Sequence, residues 1–130
     1  MGQQQLLLII LGVIVVGIAV AVGITMFQDN AISANRDAVT NDLVNLAARA
    51  QQFYRRPTAL GGGQGSYAAV TLQDLTSKPS NANGAYSQVS NSATQVVLRG
   101  TGVEDGNDGA TPVQVTMTVF ADSMSVTVDN

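Results

Sequence analysis

The sequence predicts an α+β chain in which a long N-terminal α-helix, apolar in its first half and amphipathic in its second, packs on a small four-stranded antiparallel sheet. Three observations carry that expectation. Residues 6–27, LLLIILGVIVVGIAVAVGITMF, form an apolar run in which Thr25 is the one polar side chain. From Gln28 to Arg55 apolar residues return every three or four positions, the period of a helix with one buried face. From Gly84 onward the period falls to two, as in half-buried strands.

The first run holds 22 residues, and a helix rising 1.5 Å per residue needs roughly 20 apolar residues to cross the hydrocarbon of a bilayer. It is apolar all round, without the wet face of a helix lying on a globular domain. Fifteen of its residues are Leu, Ile, Val or Phe; at roughly 0.3 to 0.6 kcal/mol each they favour the membrane by about 5 to 9 kcal/mol. Lipid tails and aliphatic side chains are similarly apolar, so the same helix suits the core of a fibre. The side chains expected to pack there are Leu6, Leu7, Leu8, Ile9, Ile10, Leu11, Val13, Ile14, Val15, Val16, Ile18, Val20, Val22, Ile24 and Phe27. Gly12, Gly17 and Gly23 are spaced by five and six rather than in the GxxxG pattern, and read as small residues that permit close helix packing.

Gln3, Gln4 and Gln5 lead in and can bond the orphan amides of a helix start. Residues 1–5 carry no basic side chain and the run is long for the core of a cleavable secretory signal. The first basic residue is Arg36, so charge gives orientation little to act on; the polar body following the span is expected outside the cell.

The second half of the helix places Ile32, Val39, Leu43, Leu46, Ala47, Ala50, Phe53 and Tyr54 on one stripe, with Asp29, Asn30, Asn35, Arg36, Asp37, Asn41, Asp42 and Arg49 on the wet side. No Gly or Pro occurs between Gly23 and Pro57, which ends the helix by disfavouring helical geometry at Arg56. A Gly-rich loop follows, then a single helical turn after Thr71, where Thr71 and Asp74 match a capping box with Asp in place of Glu. Strands are expected at residues 85–90, 94–101, 113–119 and 123–129, joined by short links as an antiparallel meander with one apolar face. The helical stripe of residues 32–54 is the cover of matching size. The expected organisation is thus 1–27, an apolar membrane or filament-core helix, and 28–130, a head made of helix 28–56, loop 57–83 and sheet 84–130.

The chain has 130 residues, a net charge of −3, and no His, Cys or Trp. Disulfides are impossible, so a small head needs a long helix or neighbouring subunits to complete its core. An acidic balance without a basic patch argues against a nucleic-acid partner. Without His or Cys the common general base, thiol nucleophile and transition-metal ligands are missing, so no enzyme and no cofactor are expected. Glu104, Asp105 and Asp108 stand in an acidic, Gly-rich stretch whose oxygens are weak calcium candidates, because the register and distal Glu of an EF-hand loop are absent. The aromatic residues Phe53 and Tyr54 have the spacing of helix packing rather than of a conducting path, and no N-x-S/T sequon occurs.

An apolar helix continuous with an amphipathic one that carries a small sheet resembles the type IV pilin superfamily. The residues that carry the resemblance are Leu6 to Phe27, the unbroken helix to Arg55, the Gly-rich linker and the strands from Ala85 to Asp129. The resemblance spans the chain and is architectural. It implies a structural subunit drawn from the cytoplasmic membrane into an extracellular helical filament of many identical copies, serving adhesion, surface contact or motility. It also implies a pilus assembly machinery and a prepilin peptidase as partners. Bacterial members usually carry a Glu as the fifth mature residue, which pairs with a neighbouring amine during assembly. That place falls on Gln5 if Met1 is the mature terminus, and on Leu7 if a leader is removed after Gly2. Met1, Gly2 and Gln5 are therefore the candidates for processing or for an N-terminal contact. The Pro that breaks the apolar helix in bacterial members is also missing, which predicts a helix that stays continuous in the fibre. A minor pilin or a secretion-system pseudopilin is the near alternative. A monomeric, signal-anchored extracytoplasmic binding module is the distant one, though such modules usually place a flexible linker after the span.

Overall fold

Residues 2–130 are described by the computed structural model, and Met1 lies outside them. Helix α1 is Gly2–Arg55. Its residues divide between two compact units, one comprising the helix up to Ala31 and the other Ile32–Asn130.

In the second unit, α1 ends where the sequence withdraws its donors. Pro57 has no N–H, and the chain turns through a single 3₁₀ turn, Thr58–Leu60. The following loop then folds back so that its amides reach the helix end: Gly63 donates to the Phe53 carbonyl (2.8 Å), Gly65 to that of Tyr54 (2.7 Å) and Gln64 to that of Arg56 (2.9 Å). Carbonyls that a helix C-terminus leaves orphaned are satisfied in this way. Helix α2, Leu72–Leu75, follows. Its Asp74 carboxylate accepts from the Thr71 amide at 2.9 Å, the arm of the capping box read in the sequence, and from the Thr71 hydroxyl at 2.8 Å.

The sheet is antiparallel with strands in sequence order: β1 (Ser80–Asn81), β2 (Gly84–Asn91), β3 (Gln95–Asp105), β4 (Pro112–Phe120) and β5 (Met124–Val128). The α+β class with its long N-terminal helix stands, but the sheet has five strands and not four. The extra strand is β1, two residues in the stretch expected to be loop. Nothing in Ser80-Asn81 alternates, and its pairing with Ala85 and Gly84 is imposed by the tight turn between them. Residues 57–83 thus hold, besides the helical turn expected after Thr71, a 3₁₀ turn and the two residues of β1.

Core packing follows the two periods. Val39, Leu43, Leu46, Ala47, Ala50 and Phe53 of α1 are buried against Tyr86 of β2, Val96 and Leu98 of β3, and Val113, Val115, Met117 and Val119 of β4. Tyr67, Val70 and Leu75 close the core from the connecting segment, and Ile32 and Tyr54 are partly buried beside it. On the core face of β3 the apolar series gives way to Gly100 and Gly102. A Cβ at Gly100 would run into Val39 and the Tyr86 ring, and one at Gly102 into the Asn35 amide. The two glycines let α1 approach β3 more closely than a side chain would permit.

Two expectations about faces need correcting. Asn35, assigned to the wet side, is buried. The sequence signal for it is its own spacing: Asn35, Val39, Leu43, Leu46, Ala50 and Phe53 recur at four, four, three, four and three, so Asn35 lies on the stripe. The cover also stops short of β5, whose five residues are all exposed.

Candidate functional site

The candidate site is a surface rather than a pocket: the whole circumference of the helix formed by the apolar run. Each of its large apolar side chains from Leu6 to Phe27 is exposed, from 51 % at Val22 to 77 % at Phe27. The exposure goes all the way round, since every residue from Gly2 to Asn30 is exposed. The helical period does not divide this surface into faces, because apolar side chains occupy every rotational position. Thr25, the polar exception, donates from Oγ1 to the Ala21 carbonyl at 3.1 Å and so presents no unsatisfied group outward. At Gly12, Gly17 and Gly23 an added Cβ would meet nothing within 4 Å, leaving bare backbone on the helix surface. The structure thus places every expected core-packing residue on one helix, and each is exposed among the described residues. Gly2 opens α1 and Gln5 lies exposed in its opening turns, whereas Met1 is outside the described residues.

The calcium candidates do not converge. Glu104 and Asp105 end β3, while Asp108 sits in the turn before β4. The Asp108 carboxylate is already engaged: it accepts from the Thr111 hydroxyl (2.5 Å), the Thr111 and Ala110 amides (2.9 and 3.0 Å) and Asn130 Nδ2 (3.2 Å). Those bonds, the Thr111 hydroxyl first, hold its pKa far below the usual carboxylate range. Among the described residues, no three acidic side chains gather as a metal site would require.

Sequence reasoning missed a polar seam between α1 and the sheet. Asn35 Nδ2 donates to the Asn83 carbonyl at 2.8 Å, and its Oδ1 accepts from the Val103 and Glu104 amides at 3.1 and 3.3 Å. Two turns later the Asp42 carboxylate accepts from Asn81 (2.9 Å), Asn83 (3.0 Å) and the Tyr86 hydroxyl. Burial pushes the Asp42 carboxyl up, but the bonds from Asn83, Tyr86 and Asn81 outweigh it, and its pKa falls below the ordinary value. Tyr86 moves the other way, raised by burial and by the neighbouring carboxylate. Beside this seam lies a hollow of about 160 Å³ lined by Asp42, Asn45, Arg49, Thr76, Lys78 and Tyr86 among others. Arg49 is committed there, donating to the Leu75 carbonyl at 2.9 Å. The one cue to this seam was the run Asn81-Ala-Asn83-Gly84, which favours a turn.

Of the aromatic side chains, the Tyr54 and Tyr67 rings meet at a 38° tilt with centroids 4.8 Å apart, Phe53 and Tyr86 enter the core, and Phe27 is exposed. No family model matches the chain, and comparison with curated proteins and with solved structures gives no match.

Proposed function

We propose that the chain is a structural subunit that self-assembles through residues 6–27 into an extracellular filament of the type IV pilus kind, after residence in the cytoplasmic membrane. The observation that carries this reading is the apolar surface of α1, exposed on every side over the length of a membrane span. A surface of that composition has two physical refuges, lipid or other apolar helices, and the free energies of the two are close. Transfer from the membrane into a bundle of identical helices therefore costs little, while packing around bare backbone at Gly12, Gly17 and Gly23 favours the bundle.

In this mechanism the apolar helices of many copies bury one another along the axis and the Ile32–Asn130 units tile the exterior. Adhesion, surface contact or motility are the roles such a fibre serves. Its partners are other copies of the chain, the assembly machinery and a prepilin peptidase. Gln5, if it is the fifth mature residue, accepts a hydrogen bond from a neighbour's terminal amine, weaker than the charge-assisted bond a Glu would make.

The test is to shear surface material from cells producing the chain and to image it by electron cryomicroscopy. Fibres with residues 6–27 traced at the axis are the expected result. Protein confined to the membrane fraction, with no fibres, overturns the reading and favours a signal-anchored module.

A further inference from the structure

Strand β5 ends the sheet, and its outer edge is bare. In its ladder with β4, Phe120 N–H bonds the Ser123 carbonyl and Asp129 N–H bonds the Gln114 carbonyl. Antiparallel alternation then turns the backbone groups of Ser125 and Thr127 toward β4 and those of Met124, Val126 and Val128 away from it. The same three residues face Val119, Met117 and Val115 across the strands and so share their core-facing side. They remain 38 %, 42 % and 47 % exposed. Val44, 39 % exposed, lies on the side of α1 that carries Gln51, whose amide reaches the Phe120 and Ser123 carbonyls beside this edge. The strand carries none of the usual guards of an edge: no Lys, no Pro and no bulge.

The opposite edge is guarded. Beyond the two residues of β1, the Asn91 side chain bonds the Tyr67 and Ala68 carbonyls (2.9 and 2.7 Å) and Gln88 bonds that of Val70 (3.1 Å). An edge-to-edge chain that joins β5 of one copy to β2 of the next is therefore blocked.

We infer that β5 pairs with β5 of a second copy, antiparallel about a two-fold at Val126. The sequence Met-Ser-Val-Thr-Val is self-complementary in that register. Val126 faces Val126, Met124 faces Val128 and Ser125 faces Thr127, so apolar meets apolar on the helix side and hydroxyl meets hydroxyl on the other. Each outward-facing residue meets another outward-facing one, giving two main-chain hydrogen bonds per pair. Charge selects the same arrangement. Asp122 falls opposite Asn130, and Asp129 opposite Ser123, whereas a parallel in-register pairing would stack Asp122 on Asp122 and Asp129 on Asp129. The inference does not rest on the filament reading. A two-fold that pairs the strands antiparallel with both helices on one side of the sheet reverses residues 32–54 of one copy relative to the other. This contact therefore joins copies of opposite orientation, as in adjacent antiparallel fibres or detergent-solubilised protein, and not neighbours in one membrane or one polar filament.

The native chain has no cysteine, so single cysteines report the contact in the full-length protein in detergent. Facing hydrogen-bonded residues lie about 5.5 Å apart between Cα atoms, within disulfide range. Under mild oxidation Val126→Cys should form a disulfide dimer. Met124→Cys and Val128→Cys should not dimerise alone, but should cross-link to each other when mixed; Val89→Cys, on β2, should stay monomeric. Adding Val126→Lys to the mixed pair should cut the dimer about tenfold, equivalent to ~1.4 kcal/mol. Cross-linking of every single variant with itself indicates parallel pairing or random collision and overturns the proposal. So does the absence of dimer at Val126, or capture of a different protein there.

Discussion

Asn35 shows what one polar side chain does when it falls on an apolar stripe. It is the only buried polar residue of α1, and its amide satisfies one carbonyl and two amides of the sheet. Asn35→Ala leaves the Asn83 carbonyl and the Val103 and Glu104 amides without these partners. It should therefore destabilise the Ile32–Asn130 unit by about 2 kcal/mol, the cost of buried unsatisfied groups, read as a lower urea midpoint with an unchanged slope. The Asp42–Tyr86 pair adds a pH dependence whose sign follows from the shifts. Asp42 has its folded pKa below the ordinary 3.8, so its contribution is present above about that pH and lost as pH falls through the folded value. Tyr86 is raised above 10.0, so its contribution is present below that pH and lost as pH rises through its folded value. Stability should be flat between those limits, and Asp42→Asn should shallow the acid limb while Asp108 maintains part of it, measured by urea unfolding at pH 2 to 7. The stripe is legible in the sequence, but residue type points Asn35 to the wet side while its position puts it on the stripe. Which carbonyl would need its donor depends on the turn at Asn81–Gly84, which no local period reveals.

At the scale of elements, legibility tracked the strength of the repeating pattern. The helix from Gly2 to Arg55 and the strands β2 to β5 follow from apolar runs and alternation that local chemistry enforces. The two-residue β1 and the 3₁₀ turn have no pattern of their own and exist because neighbouring elements supply their hydrogen bonds. The uncovered β5 was illegible for a related reason. Its alternation is as regular as that of β4, but α1 is one helix wide and its buried side chains meet β2, β3 and β4, leaving β5 at the margin. The apolar half of α1 carries its own prediction. Val15→Asp, near the middle of the run, introduces a charge that costs about 3 kcal/mol in an apolar surround. In a fibre the penalty recurs in every copy. Cells producing this variant should show no sheared fibres, while circular dichroism of the purified protein retains its strand signal. Normal fibres from Val15→Asp would place the run outside the assembly core.

On the filament reading, the division into two units assigns assembly to one and folding to the other. Every residue of the hydrophobic core belongs to Ile32–Asn130, and every side chain of the proposed filament core precedes it. Without disulfides, the second unit depends on the packing of α1 residues 32–54 against the sheet and on the polar seam at Asn35 and Asp42. Removing residues 1–27 takes nothing from that core. The shortened chain should therefore be soluble without detergent and should unfold cooperatively within about 5 °C of the full-length protein, since ~1 kcal/mol corresponds to a shift of roughly 4 to 8 °C in a domain of this size. It should also form no fibres under conditions in which the full chain does. These two results answer different questions. Fibres from the shortened chain would mean that assembly runs through the sheet, with the β5 edge the first place to look. A large drop in unfolding temperature would instead mean that the apolar helix supports the fold of the second unit, and its exposure would then need an explanation other than assembly.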